Sequence, residues 1–333
     1  MSWRRTAAAV SWLTVYSACG GGGSTTDLPL RVTSPTAPTT SDWSVSGRVT
    51  TQAGVPIAGA VVSLAGLPTV LTSAAGAYTV TGLGSPSQDP YPLEITANNY
   101  LRRRVWVRWQ PGARAGVNLD LVSLSPPFSL TFYRELARDA QESPGALEPL
   151  QLWPGGNPNV YVRTVDQNGN PIAQDVLNGV YDTIPGAVAD WTNGKLSVGA
   201  LEHGPAARSR QDGWIIVTFV RQQSGGDICG QSFVGELAGM IQLDDGVCSC
   251  GSITVPRQVV AHEVGHAMGF FHVSDPGSLM YPQASRNCTN VTPSAAERFH
   301  TAVAWSRVPG NTDPDLDPSG LTPLSRRDIL VIN

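Results

Sequence analysis

Val260-Ala261-His262-Glu263-Val264-Gly265-His266-Ala267-Met268-Gly269-Phe270-Phe271-His272 is the stretch from which the rest of the chain can be read. Two histidines four apart on a helix lie about 40° apart around its axis, so both imidazoles point to one side and can hold one metal ion. Glu263 follows the first of them, and its carboxylate can reach a water at the ion without being a ligand. His272 would face away if the helix simply continued. Gly269 can take the positive φ that turns the chain back, and His272 then becomes a third ligand. Three neutral imidazoles leave one tetrahedral position open, the arrangement of a catalytic rather than a structural zinc.

Ser278-Leu279-Met280-Tyr281-Pro282 follows. With it, the pattern H-E-x-x-H-x-x-G-x-x-H resembles that of the metzincin metalloproteases, and among them most the matrixins, because the turn after His272 reads Leu-Met-Tyr-Pro. The resemblance spans roughly residues 128–307 and is specific from His262 to Pro282. It implies an α+β metzincin-type zinc protease domain: a mixed sheet, a long helix, an active-site helix, a methionine turn and a C-terminal helix. It further implies one catalytic zinc on His262, His266 and His272, and Glu263 as general base and then general acid. Met280 would support the histidines from below, with Tyr281 and Pro282 in the pocket wall. Substrate would join a sheet edge, whose free N–H and C=O groups bind an extended backbone. The expected edge strand is residues 235–243, with Leu237 and Ala238 against substrate. His203 and His300 are left over, and both are expected on the surface.

The 333 residues suggest two domains, and 41% apolar with 14% charged residues is enough for packed cores. A net charge of −4 argues against a nucleic-acid partner, which would call for a basic face. The one basic run, Arg102-Arg103-Arg104, reads as a solvated strand end. Residues 1–19 read as a targeting segment: Arg4 and Arg5, an apolar stretch too short to span a bilayer, then small residues before Cys19. This resembles a bacterial lipoprotein signal, in which Cys19 would carry the lipid that tethers the protein to a membrane; an ordinary secretory signal is the other reading. Both predict export to the cell envelope or beyond. Cys229, Cys248, Cys250 and Cys288 are even in number and suit disulfides in that compartment. A bridge between Cys248 and Cys250 would be strained, so each is expected to pair with Cys229 or Cys288, in either order.

Residues 20–42 are a Gly/Ser/Thr/Pro linker. From 43 to 124 the hydrophobic period is two, and six or seven short strands predict an all-β sandwich. Its layout resembles carboxypeptidase-regulatory or transthyretin-like modules, which implies a spacer or a ligand-binding unit. Ser125-Pro126-Pro127 predicts an extended linker. Beyond it the reading is a possible helix at 133–141, a strand at 159–165 and a long helix kinked or broken near Pro185-Gly186. Strands at 196–201 and 214–220 follow, then the active helix from Val255-Pro256 to Gly269 and a last helix opened by Thr292-Pro293. Residues 308–333 read as a polar tail that ends in Ile329-Leu330-Val331-Ile332. In it Asp313, Asp315 and Asp317 alternate like calcium ligands. The function expected is an exported, monomeric zinc endopeptidase acting on proteins or peptides. The other hypothesis is a surface-anchored binding lipoprotein that uses the sandwich for recognition and carries an inactive metal domain.

Overall fold

The computed structural model describes residues 43–64, 66–82, 90–108, 112–221, 228–246, 255–283, 290–320 and 329–332. The signal, the linker and Cys19 lie outside the described residues, as do Cys248, Cys250 and Cys288. No described helix is long and apolar enough to cross a membrane.

The alternating stretch forms two sheets. Strands β1 (Trp43–Thr51), β2 (Val61–Leu64), β3 (Val70–Leu71), β4 (Ala77–Gly82), β5 (Tyr91–Thr96), β6 (Arg103–Val107), β7 (Ala113–Arg114) and β8 (Leu119–Leu121) divide between them. One sheet runs β4-β1-β7 with β8 also on β1, and the other runs β3-β2-β5-β6. Every second residue is turned inward: Trp43, Val45 and Val49 from β1 meet Tyr91, Leu93 and Ile95 from β5 in one buried cluster. The period of two thus places the apolar face of each sheet against the other. Ser125-Pro126-Pro127 is a turn and not an extended linker.

The second half begins with α1 (Leu130–Arg138), β9 (Asn159–Asp166) and α2 (Gln174–Trp191). Helix α2 runs through Pro185 without ending there. Next come β10 (Leu201–Gly204), β11 (Trp214–Val220), β12 (Gly230–Phe233) and β13 (Ala238–Asp244), then α3 (Arg257–Ala267), α4 (Ala295–Trp305) and β14 (Ile329–Ile332). The sheet order is β10-β9-β11-β13-β12-β14; β10, β9, β11 and β13 are parallel, and β12 and β14 are antiparallel to their neighbours. Strand β13 therefore lies inside the sheet rather than at its edge, with β12 paired to Ile241, Gln242 and Leu243 and β11 along its other side. Ala238 pairs with Trp214, and the Leu237 carbonyl accepts from the Gly213 amide at 2.8 Å. The strand beyond β13 is β12, four residues with no hydrophobic alternation to announce it.

The expected tail is built into the structure. Arg307, fully buried, donates to both carboxylate oxygens of Asp120 on β8 at 2.8 and 2.9 Å and to Asp315 at 2.9 Å. Arg103 on β6 binds Asp315 at 2.5 Å and Asp317 at 3.0 Å, and Asn311 bridges the same two carboxylates. Arg138 donates to the carbonyl and side-chain oxygens of Asn311, and Arg134 holds Asp313 at 2.7 Å. Two expectations are corrected here. Arg103 is not a solvated strand end, and the three alternating aspartates are neutralised by arginines rather than arranged as oxygen ligands for calcium. Low-dielectric burial makes this pairing necessary, because a buried charge is tolerated only when compensated.

Candidate metal centre

Helix α3 lies inside the core, with every residue from Gln258 to Ala267 buried, its polar His262, Glu263 and His266 included. It packs against α2, where the Trp191 indole N–H donates to the Ala261 carbonyl at 2.8 Å. Gly265 lies between the two helical histidines because nothing larger fits: a Cβ there would come within 2.6 Å of the Met280 sulfur and 2.9 Å of the Trp191 ring. Met280 is thus seated directly under the helix. Gly269 has φ +109°, and a Cβ on it would meet the Gln151 carbonyl at 1.9 Å, so the reversal that brings back His272 admits only glycine.

The three imidazoles converge. Their Nε2 atoms form a triangle with sides of 3.0 Å (His262 to His266), 3.2 Å (His262 to His272) and 3.2 Å (His266 to His272). Each Nδ1 is anchored elsewhere: His262 on the Leu279 carbonyl at 2.7 Å, His266 on the Phe270 carbonyl at 2.7 Å and His272 on the Glu142 carboxylate at 2.5 Å. A carbonyl can only accept, so the Nδ1 atoms of His262 and His266 carry the protons. Burial, together with the charge of His272, pushes the His262 imidazole down to about 3, and burial with the charges of both neighbours holds His266 well below its ordinary value. Both are neutral, and their Nε2 lone pairs are bare. Facing lone pairs about 3 Å apart repel one another; one cation between them turns that repulsion into ligation. A triangle of these sides has a point about 2 Å from every corner, the Zn–N distance. The donor set therefore fits zinc, and it is the one group of metal-capable side chains among the described residues.

Glu263 is fully buried, and neither carboxylate oxygen has a hydrogen-bond partner among the described residues. Burial pushes its carboxyl well above the ordinary value. The group lies flush against β12: a Cβ on Gly230 would come within 2.5 Å of its Oε1. Such an uncompensated acid is costly to bury, and a neighbouring cation is what would offset it.

Two further carboxylates hold the centre without touching it. Glu142 fixes the ring of His272 in a carboxylate–histidine pair. Burial works against its charged form, but the hydrogen bond and charge of His272 outweigh this and hold its carboxyl below the ordinary range. Glu297 on α4 accepts from the amides of Leu279 at 3.1 Å and Met280 at 2.8 Å, which pins the turn that carries the anchor for His262. It also closes a capping box with Ser294, so α4 is capped at Ser294 and not at Thr292. The Ser-x-x-Glu spacing was the signal available for it. Nothing in sequence marks Glu142, 130 residues away from its partner.

Tyr281 and Pro282 follow the turn half-buried. His300 is buried rather than on the surface: its Nε2 accepts from the Ser129 amide at 2.9 Å amid Phe128, Phe132 and Phe299. His203 is exposed as expected, on β10. Cys229 is buried and disulfide-bonded; its bonding partner lies outside the described residues.

Two family models match the chain: the carboxypeptidase regulatory-like domain over residues 44–122 and matrixin over residues 215–296. The matrixin match takes in the three histidines, Glu263 and Met280. A comparison with curated proteins finds no match. Among solved structures, two cohesin–X-dockerin complexes from Acetivibrio cellulolyticus are similar to part of it. They are interface mutants with 25% and 26% identity and TM-scores of 0.18 and 0.17. Each covers 25% of this chain, which spans about half (54%) of theirs, and at those TM-scores the likeness carries no argument.

Proposed function

We propose that the chain is a zinc-dependent endopeptidase. One observation carries the proposal: three converging Nε2 atoms 3.0–3.2 Å apart, with the unpartnered carboxyl of Glu263 next to the first of them in sequence. The matrixin match supports the same reading. A zinc ion held there supplies a Lewis acid that brings the pKa of a water from about 15.7 towards 7. The chain's own residues do the rest. Leu279, Phe270 and Glu142 hold the rings in register through their Nδ1 atoms. Glu263 takes up the proton of the attacking water on its carboxylate and returns it to the departing amine, a task favoured in a group whose burial raises its proton affinity. An extended peptide adds to β12, the strand whose Gly230 touches Glu263, and Tyr281 and Pro282 wall the pocket beside it.

The sequence adds the setting. A lipoprotein-like leader supports export and attachment to a membrane through a lipid on Cys19, with disulfides among Cys229, Cys248, Cys250 and Cys288, and a protein or peptide as substrate. The rival reading, a binding lipoprotein with an inert metal domain, gives no reason to hold an unpartnered acid at position 263. Glu263→Ala should retain zinc and lose about 10²–10⁴-fold in hydrolysis of a denatured protein. Undiminished hydrolysis would remove Glu263 from the chemistry and the proposal with it.

A further inference from the structure

The edge of the sheet that a substrate would use is already taken. Ile329–Ile332 pairs antiparallel along the whole of β12, with Ile332 opposite Gly230, Val331 opposite Gln231, Leu330 opposite Ser232 and Ile329 opposite Phe233. The Gly230 in this ladder is the residue pressed against the carboxyl of Glu263. The last strand therefore runs along the strand that touches the proposed base. His262, Glu263 and His266 have no exposed surface and His272 only 3%.

We infer that Ile329–Ile332 is an internal occupant of the peptide-binding edge, which an extended substrate must displace. This rests on the peptidase reading of the site above. The segment suits the part. It is a run of β-branched and long aliphatic residues, strong strand formers, and a ladder of backbone bonds binds without demanding particular side chains in its competitor. It is also short. Four residues on one edge make a reversible contact, which a substrate that engages β12 over a longer stretch outcompetes.

In the antiparallel ladder, adjacent residues present their N–H groups to opposite sides, so one of Leu330 and Val331 must donate toward β12. Proline at both positions removes that bond whichever it is. In the full zinc-loaded chain, the double variant Leu330→Pro/Val331→Pro should lower KM for an extended peptide by roughly tenfold at unchanged kcat, the signature of a competent fraction released from self-occupancy. A synthetic octapeptide of residues 326–333 added in trans should raise the KM of that variant again. An unchanged KM in the folded variant, or no competition by the octapeptide, overturns the inference. The peptidase reading is tested apart from it by repeating the pair in a Glu263→Gln background and measuring binding of the same fluorescent peptide by anisotropy. If neither parent hydrolyses peptide but the proline pair gains binding, the occupant stands and the peptidase falls. If both hydrolyse with equal KM, the reverse holds. Should the proline variant melt below assay temperature, Leu330→Asp/Val331→Asp, which loads the strand with like charge, gives the same two readouts.

Discussion

Removing the carboxylate of Glu142 tests the metal centre at a point where side-chain chemistry alone is at stake. Of the three ring anchors, those of His262 and His266 are backbone carbonyls, which no substitution of Leu279 or Phe270 deletes. His272 is held by a side chain, at 2.5 Å from Glu142. Loss of such an outer partner costs about 10–100-fold in metal affinity, or roughly 1.4–2.7 kcal/mol. Two facts set the expectation within that range. Only one of three anchors is lost, and the Glu142 side chain is 34% exposed, so water can take over part of its role. Glu142→Ala should therefore weaken zinc by about tenfold, near the lower bound. Glu142→Gln keeps an acceptor oxygen and loses the charge, and should fall between the two. Competition against a chromophoric chelator gives the dissociation constants directly, and kcat/KM at saturating zinc shows whether orientation also suffers. Zinc affinity of Glu142→Ala indistinguishable from the unmutated chain would refute the claim that this pair orients the third ligand.

Two other perturbations follow from the same contacts. Asp315→Asn leaves Arg103 and Arg307 buried with one carboxylate fewer, and should destabilise the chain by about 3–5 kcal/mol in denaturant titration, independently of added calcium. Protection by calcium would restore the oxygen-ligand reading of these aspartates. Gly269→Ala meets the Gln151 carbonyl at 1.9 Å and forces a φ that alanine avoids, so it should displace His272, release zinc and lower the melting temperature; retention of one zinc per chain would show that the turn has another solution.

The catalytic core was legible because its ligands are local. Two residues on one helix and a third just past a glycine carry their own geometry, and the sequence from His262 to Met280 fixes it through helical spacing and one positive φ. The strands of the sandwich were legible for a similar reason, since alternation survives even in four-residue segments such as β2. What could not be read is whatever depends on contact at a distance. Glu142 reaches His272 only after the chain has folded, and Arg103 finds its aspartates more than 200 residues on. Strand β13 was read as an edge because it is hydrophobic, whereas β12 beyond it is Gly-Gln-Ser-Phe and carries no pattern that would reveal it. Asp313, Asp315 and Asp317 looked like metal ligands because spacing alone does not distinguish a cation from a guanidinium.

The Arg307 and Arg103 clusters also bear on what the sandwich can be. A recruiting arm on a hinge would let the catalytic half search around a bound target, but these ion pairs permit no such swing. The metal centre is therefore held at one fixed angle to the sandwich formed by β1 through β8. Cutting the two halves apart would strand the buried Arg103, since both its carboxylates, Asp315 and Asp317, lie in the other half, whereas Arg307 would keep Asp315.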